Sequence, residues 1–139
     1  MWANYDYSKF PVVNVDFNNT IKNNKEFSDF LVKWTLLYQN KKDFSFIFNT
    51  TKVGFVNPKY CFKMTKFIWK LKKFNHQYLQ KSLIIVSNSY IKYLVNLIFR
   101  LQKPVAPVYI FSNKEKVNYD LLLKKIENNE LDDFNVVYP

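Results

Sequence analysis

Strand-like and helix-like runs alternate strictly between residues 10 and 126, and short connections join them. That order constrains the fold more than any other feature. Neighbouring strands separated by a helix can pair only through crossovers, so the pattern β-α-β-α-β-α-β-α predicts an α/β domain with a mostly parallel sheet covered by helices. In the first run, Phe10–Phe17, Val13, Val15 and Phe17 share one face, and Asn14 and Asp16 share the other. A polar turn over 18–24 leads to a helix, where Asn23 and Glu26 have capping-box spacing. Phe27, Phe30, Leu31, Trp34, Leu37 and Tyr38 form its apolar stripe, and Asn40 suits its stop.

The remaining elements follow the same logic. Asp43–Asn49 alternates Phe44, Phe46 and Phe48 with other residues, as a strand does. Asn57-Pro58 is a strong helix start, and that helix is expected to run to about Phe74. Ser82–Ser87 (SLIIVS) is short and almost wholly apolar, which predicts a central strand buried on both faces. Ser87-Asn88-Ser89 can cap a helix with the stripe Ile91, Leu94, Val95, Ile98 and Leu101, and Pro104 follows its end. Pro107–Phe111 reads as a strand. Ser112 and Glu115 form a second capping box before a helix carrying Val117, Leu121, Leu122 and Ile126. Residues 1–9 show no clear period. The acidic tail holds Glu127, Glu130, Asp132 and Asp133, and its last run, Phe134–Tyr138, suits one more strand. A single domain over 1–139 is expected, with its core at about 10–127 and the tail at 128–139.

Composition removes several function classes. The chain is 48% hydrophobic and 19% aromatic, which excludes a disordered segment. Gly54 is the only glycine, so neither a dinucleotide fingerprint nor a P-loop can be present. Cys61 stands alone and cannot form an internal disulfide, which fits a reducing, cytoplasmic setting. The opening residues have no apolar signal-like core, and no apolar run reaches the roughly 18 residues of a membrane span. His76 is the only histidine, so no zinc cluster and no cofactor are expected. His76 reads as a turn residue and Cys61 as a buried, inert thiol. The acidic residues are scattered, and no pair has a spacing suited to acid–base work. Asp16, near a strand end, is the least bland of them. A catalytic role is not expected.

The formal net charge is +10, which suits an anionic partner. Arg100 is the only arginine among 21 basic residues, which speaks against sequence-specific DNA recognition through arginine forks. Abundant Asn, Lys, Ile, Phe and Tyr also follow from AT-rich codons. Such a low-GC composition suits a protist or a large DNA virus, and it accounts for part of the lysine excess.

From Val12 to about Ile126, the order and spacing of elements resemble the STAS family, the anti-sigma-factor-antagonist fold. The match is strongest from Phe44 to Phe111: FSFIFN, then TTKVGFVNPKY, then SLIIV, then SNSYIKYLVNLIF and finally PVYIF. The CRAL-TRIO lipid-binding fold has a similar run of elements and is the nearest competitor. The STAS switch site typically reads Asp-Ser-Ser-Gly, with a phosphorylatable serine. The matching stretch here is Phe55–Tyr60, where Asn57 takes the acidic position and Pro58 and Lys59 replace the serines. The resemblance therefore implies a scaffold for protein–protein contact without the phospho-switch. Thr50 and Thr51 are nearby hydroxyls that read as turn residues.

One helix carries the candidate binding residues. At about 100° per residue, Lys59, Lys63, Lys66, Lys70 and Lys73 fall within an arc of roughly 80°. Tyr60, Met64, Phe67, Leu71 and Phe74 are expected to face the sheet. Phe62 and Trp69 share a wheel position beside the lysines and away from that core arc. They need a cover. It is either the chain's own N-terminal segment (Trp2, Tyr5, Tyr7) or tail, or an outside surface: a partner protein, a second copy or an anionic membrane. The first expectation is a non-catalytic STAS-like interaction domain that contacts a protein or self-associates. The alternatives are a CRAL-TRIO-type lipid or membrane-binding module and nonspecific nucleic-acid binding through lysines and stacked aromatics.

Overall fold

The structure is a computed structural model that describes residues 1–112 and 118–139. The alternation in FSFIFN decides the centre of the sheet. Strand β3 (Phe44–Asn49) buries Phe44, Phe46 and Phe48 on one face and Ile47 on the other. Around it stand β1 (Ala3–Asp6), β2 (Val12–Phe17), β4 (Leu79–Val86), β5 (Val108–Ser112) and β6 (Phe134–Val137). The helices are α1 (Asn24–Gln39), α2 (Lys59–Leu71), α3 (Ser89–Leu101) and α4 (Tyr119–Glu127). The six strands lie in chain order, β1-β2-β3-β4-β5-β6.

The sheet is mixed. β2 to β5 are parallel, with Val13 opposite Phe46, Phe48 opposite Ile84 and Ile84 opposite Ile110. Both edges are antiparallel, β1 on β2 and β6 on β5. The expectation of a mostly parallel sheet did not foresee these edges. They come from the segments with the weakest pattern: the aperiodic first nine residues and the acidic tail. β1 reaches β2 through a short turn that allows only antiparallel pairing, whereas β6 follows β5 through α4 and still returns antiparallel, so an intervening helix did not fix its direction.

Period two then sorts the core into two layers. One face packs Val13, Val15, Phe46, Phe48, Ile84 and Val108 against α1, α2 and α3. The other packs Ile47, Leu83, Ile85 and Phe134 against Leu122 and Ile126 of α4. β4 is buried on both faces, as SLIIV requires, although it begins three residues earlier, at Leu79. Aromatic rings dominate the first layer. Trp34 meets Phe46 with centroids 4.8 Å apart, and Trp2 meets Phe17 at 4.6 Å.

Helix ends follow the chain's chemistry. Asn23 accepts from Glu26 N at 3.1 Å, and the Glu26 carboxylate accepts from Lys22 N at 3.1 Å. Asn88 caps α3 and Asn118 caps α4. Ser112, expected to cap the last helix, instead ends β5, and the cap of α4 is Asn118; Glu115 and Val117 lie outside the described residues. With glycine nearly absent, left-handed turns after helices fall to Lys41 (φ 54°) and Asn129 (φ 59°). Asn129 sits in a Schellman-type end, where Glu130 N donates to Lys125 O at 2.8 Å. α2 stops at Leu71 rather than Phe74: Lys73 N and Phe74 N donate three residues back, so the helix tightens and ends there. Among the described residues no helix is long and apolar enough to cross a membrane.

Candidate functional site

Ligands of open α/β sheets bind at the carboxyl ends of the strands. In this protein the polar groups there hold loops. Asn49 Nδ2 donates to the Tyr119 hydroxyl at 2.6 Å, while Asn49 Oδ1 accepts from Thr51 N and Thr51 Oγ1. Thr50 Oγ1 donates to Ile85 O at 2.7 Å, and Ser87 Oγ donates to Thr51 O at 2.9 Å. Thr50 and Thr51 thus serve the turn. Gly54 N donates to Asn19 Oδ1 at 3.2 Å, and a Cβ at Gly54 would lie 2.8 Å from that same oxygen. The only glycine stands where the two loops come closest. Asp16 is exposed near Tyr119, whose hydroxyl is pushed up in pKa first by burial and further by the Asp16 charge.

The stretch expected to match a STAS switch, Phe55–Tyr60, is a helix start. Asn57 Oδ1 accepts from Lys59 N at 3.0 Å, Pro58 takes helical angles, and the Lys59 side chain is exposed. Residues 55–59 carry no hydroxyl. Phe55 stacks in parallel on Tyr90 at 5.5 Å, and the Tyr90 hydroxyl donates to Val56 O at 2.7 Å. This stack braces the loop against α3. The sequence pattern did not reveal it, because the two residues lie on different elements.

The outer face of α2 is bare. Lys59, Lys63, Lys66, Lys70 and Lys73 are all exposed, and Phe62 and Trp69 are 61% and 49% exposed. The chain's own ends do not cover them. Trp2 packs on Phe17, Phe27 and Phe30, and Tyr5 packs on Phe30 and Phe46. Tyr7 stacks on Tyr5, and the tail adds β6 at the far edge of the sheet. Lys73 Nζ lies 3.6 Å from the centre of the Trp69 ring, and Lys59 and Lys63 reach over Tyr60 at 5.1 and 5.5 Å. The buried side of α2 is Tyr60, Cys61, Ile68 and Leu71, with Met64 and Phe67 half-buried. Phe74 was expected in the core but is 45% exposed and leans on Tyr38 at 5.2 Å. Cys61 and Ile68 take its place because α2 packs sideways on α3, with Cys61 Sγ 4.0 Å from Leu94 O.

The other chemical candidates are dispersed. His76 is exposed, 3.7 Å from Asp43 Oδ1, with its ring tilted 55° against that of Tyr78 at 4.4 Å. Burial pushes the Cys61 thiol up in pKa, away from thiolate reactivity. Among the described residues no three His, Cys, Asp or Glu side chains gather as a metal site would need.

One feature has no signature in the sequence. An apolar chamber of about 160 Å³ lies between the sheet and helices α1, α2 and α3. Trp34, Phe48, Met64, Ile68, Leu94 and Val108 are among its walls. Periodicity places most of these in the core, Ile68 excepted, but says nothing about whether their volumes fill it. The chain matches no protein-family model, no curated protein and no solved structure.

Proposed function

We propose that the chain is a non-catalytic, STAS-like binding domain that docks an acidic protein partner on the outer face of α2. The carrying observation is that Phe62 and Trp69 stand exposed beside five exposed lysines with no cover from the described residues. Large aromatics are the residues that anchor protein interfaces, and lysines around them steer an acidic partner into place. The loop expected to match a STAS switch has no hydroxyl, so docking there is constitutive rather than governed by phosphorylation in that loop. A reducing, cytoplasmic setting fits the single buried thiol.

The CRAL-TRIO-type alternative draws on the apolar chamber. Its volume suits a guest the size of benzene rather than a whole lipid tail, which ranks that alternative second.

The double variant Lys66→Glu/Trp69→Ala tests the proposal. Both side chains are exposed, so the melting temperature should stay within about 2 °C of wild type. A protein retained by the wild-type domain at physiological salt should be lost by the variant. Retention by both, or a collapse of stability, sinks the docking face. Flotation with phosphatidylserine vesicles and titration with single-stranded DNA separate the alternatives. Selective vesicle binding would favour a membrane surface, and DNA binding that falls steeply with salt would favour nucleic acid. Sedimentation over a concentration series reports self-association.

A further inference from the structure

We infer that the chamber beneath α3 is a binding site for a small apolar guest, a monocyclic aromatic group of about benzene size. This inference is independent of the outer face of α2. Well-packed protein interiors rarely leave gaps larger than a water molecule, yet this partly open pocket holds about 160 Å³. Apolar cavities of about that size stay dry and admit benzene.

The wall is almost wholly apolar and offers water few partners. A buried water needs two to four polar partners. Thr50 is one of the few hydroxyl-bearing wall residues, and its Oγ1 already donates to Ile85 O. The rings of Phe30, Trp34 and Phe48 stand in the wall and offer edge-to-face contacts to an aromatic guest. The indole N–H groups of Trp2 and Trp34, two of the lining residues, are buried without an acceptor. The lining of this chamber is therefore less completely packed and paired than an ordinary core.

The covering helix points the same way. α3 is rich in apolar residues, but only Ile91 and Leu94 are fully buried. Val95, Ile98 and Phe99 line the chamber while half-buried, as does Val105 in the turn after the helix. The C-terminal half of α3 rides partly off the core, and a guest beneath it would complete its packing.

Benzene is the probe for the test. Near saturation it should raise the wild-type melting temperature by about 2–4 °C. Intermolecular NOEs from benzene should reach the methyl groups of Leu94, Ile98 and Val108. Ala106→Leu and Val95→Phe each place new carbon in the chamber, and both should remove the thermal shift and the NOEs. Lys66→Glu/Trp69→Ala should keep both signals, since neither residue lines the chamber. Absence of NOEs to these methyls in the wild type overturns the inference, whatever the variants do. So does an undiminished response in a folded, filled variant.

Discussion

Trp69 and Lys41 show how far single residues in this chain answer to local chemistry. Trp69 stands half in water, and the Lys73 ammonium over its ring is a contact worth about 0.5–1 kcal/mol at exposed sites. So small a contact does not explain a tryptophan at a wet position, and that is why a docking role is argued for it. Lys41 is the opposite case, a residue in the wrong conformation for its type. It follows the α1 cap with φ 54°, a region where a side chain is strained and glycine is not. Lys41→Gly should raise stability by up to about 1 kcal/mol, partly offset by the freer unfolded chain. Urea unfolding measures it, and a clear loss would show that the Lys41 side chain makes a contact of its own. The exposed lysine and aromatic positions of α2 were legible from the helical wheel, because every candidate lay within one element. Phe74 was not. Its fate depended on where the helix ended and on its neighbour Tyr38, and spacing encodes neither.

At the scale of elements, the caps of α1 and α3 were legible, that of α4 was not, and the edges were the least legible. The stretch Ser87-Asn88-Ser89 was expected to cap α3, and within it Asn88 does so, accepting from Ile91 N at 2.8 Å. Its amide also donates to Val53 O at 2.9 Å, tying the start of α3 to the loop before α2. This second bond is long-range and invisible in sequence. The two roles can be separated. Asn88→Asp keeps the acceptor and loses the donor, so it should cost about 1 kcal/mol. Asn88→Ala loses both and should cost about 2 kcal/mol. Equal costs in chemical denaturation would mean that the bond to Val53 contributes nothing. A strand was expected near β6, but β1 and the antiparallel direction of both edges escaped for another reason. β1 and β6 are four residues each, too short for a period to emerge, and their burial is decided by pairing with β2 and β5. The four central strands and the helices between them carry long, clean patterns, so the alternation that predicted them did not depend on tertiary context.

At the scale of the whole molecule, the first core layer is built on aromatic rings, and two of them carry hydroxyls that titrate. Tyr38 is 3% exposed, and its hydroxyl donates to Gln77 Oε1 at 2.7 Å. Burial pushes its pKa up to about 12 from the usual 10. Tyr5 donates to Phe30 O at 2.7 Å, and burial pushes its pKa up further. The sign follows from linkage. Above pH 10 the unfolded chain releases these protons while the folded chain keeps them, so the unfolded state gains. The stability they contribute is complete below about pH 10 and is lost as pH rises through 12. Each tyrosine should steepen that loss by up to about 1.4 kcal/mol per pH unit. Tyr38→Phe should cost about 1 kcal/mol near neutrality, through the bond to Gln77, and then lose stability less steeply than wild type between pH 10 and 12. Groups common to both proteins cancel in the comparison. Parallel slopes for wild type and variant would mean that Tyr38 ionises without unfolding the core. In that case the sheet and α1 would have to part enough to admit solvent at the Tyr38 hydroxyl.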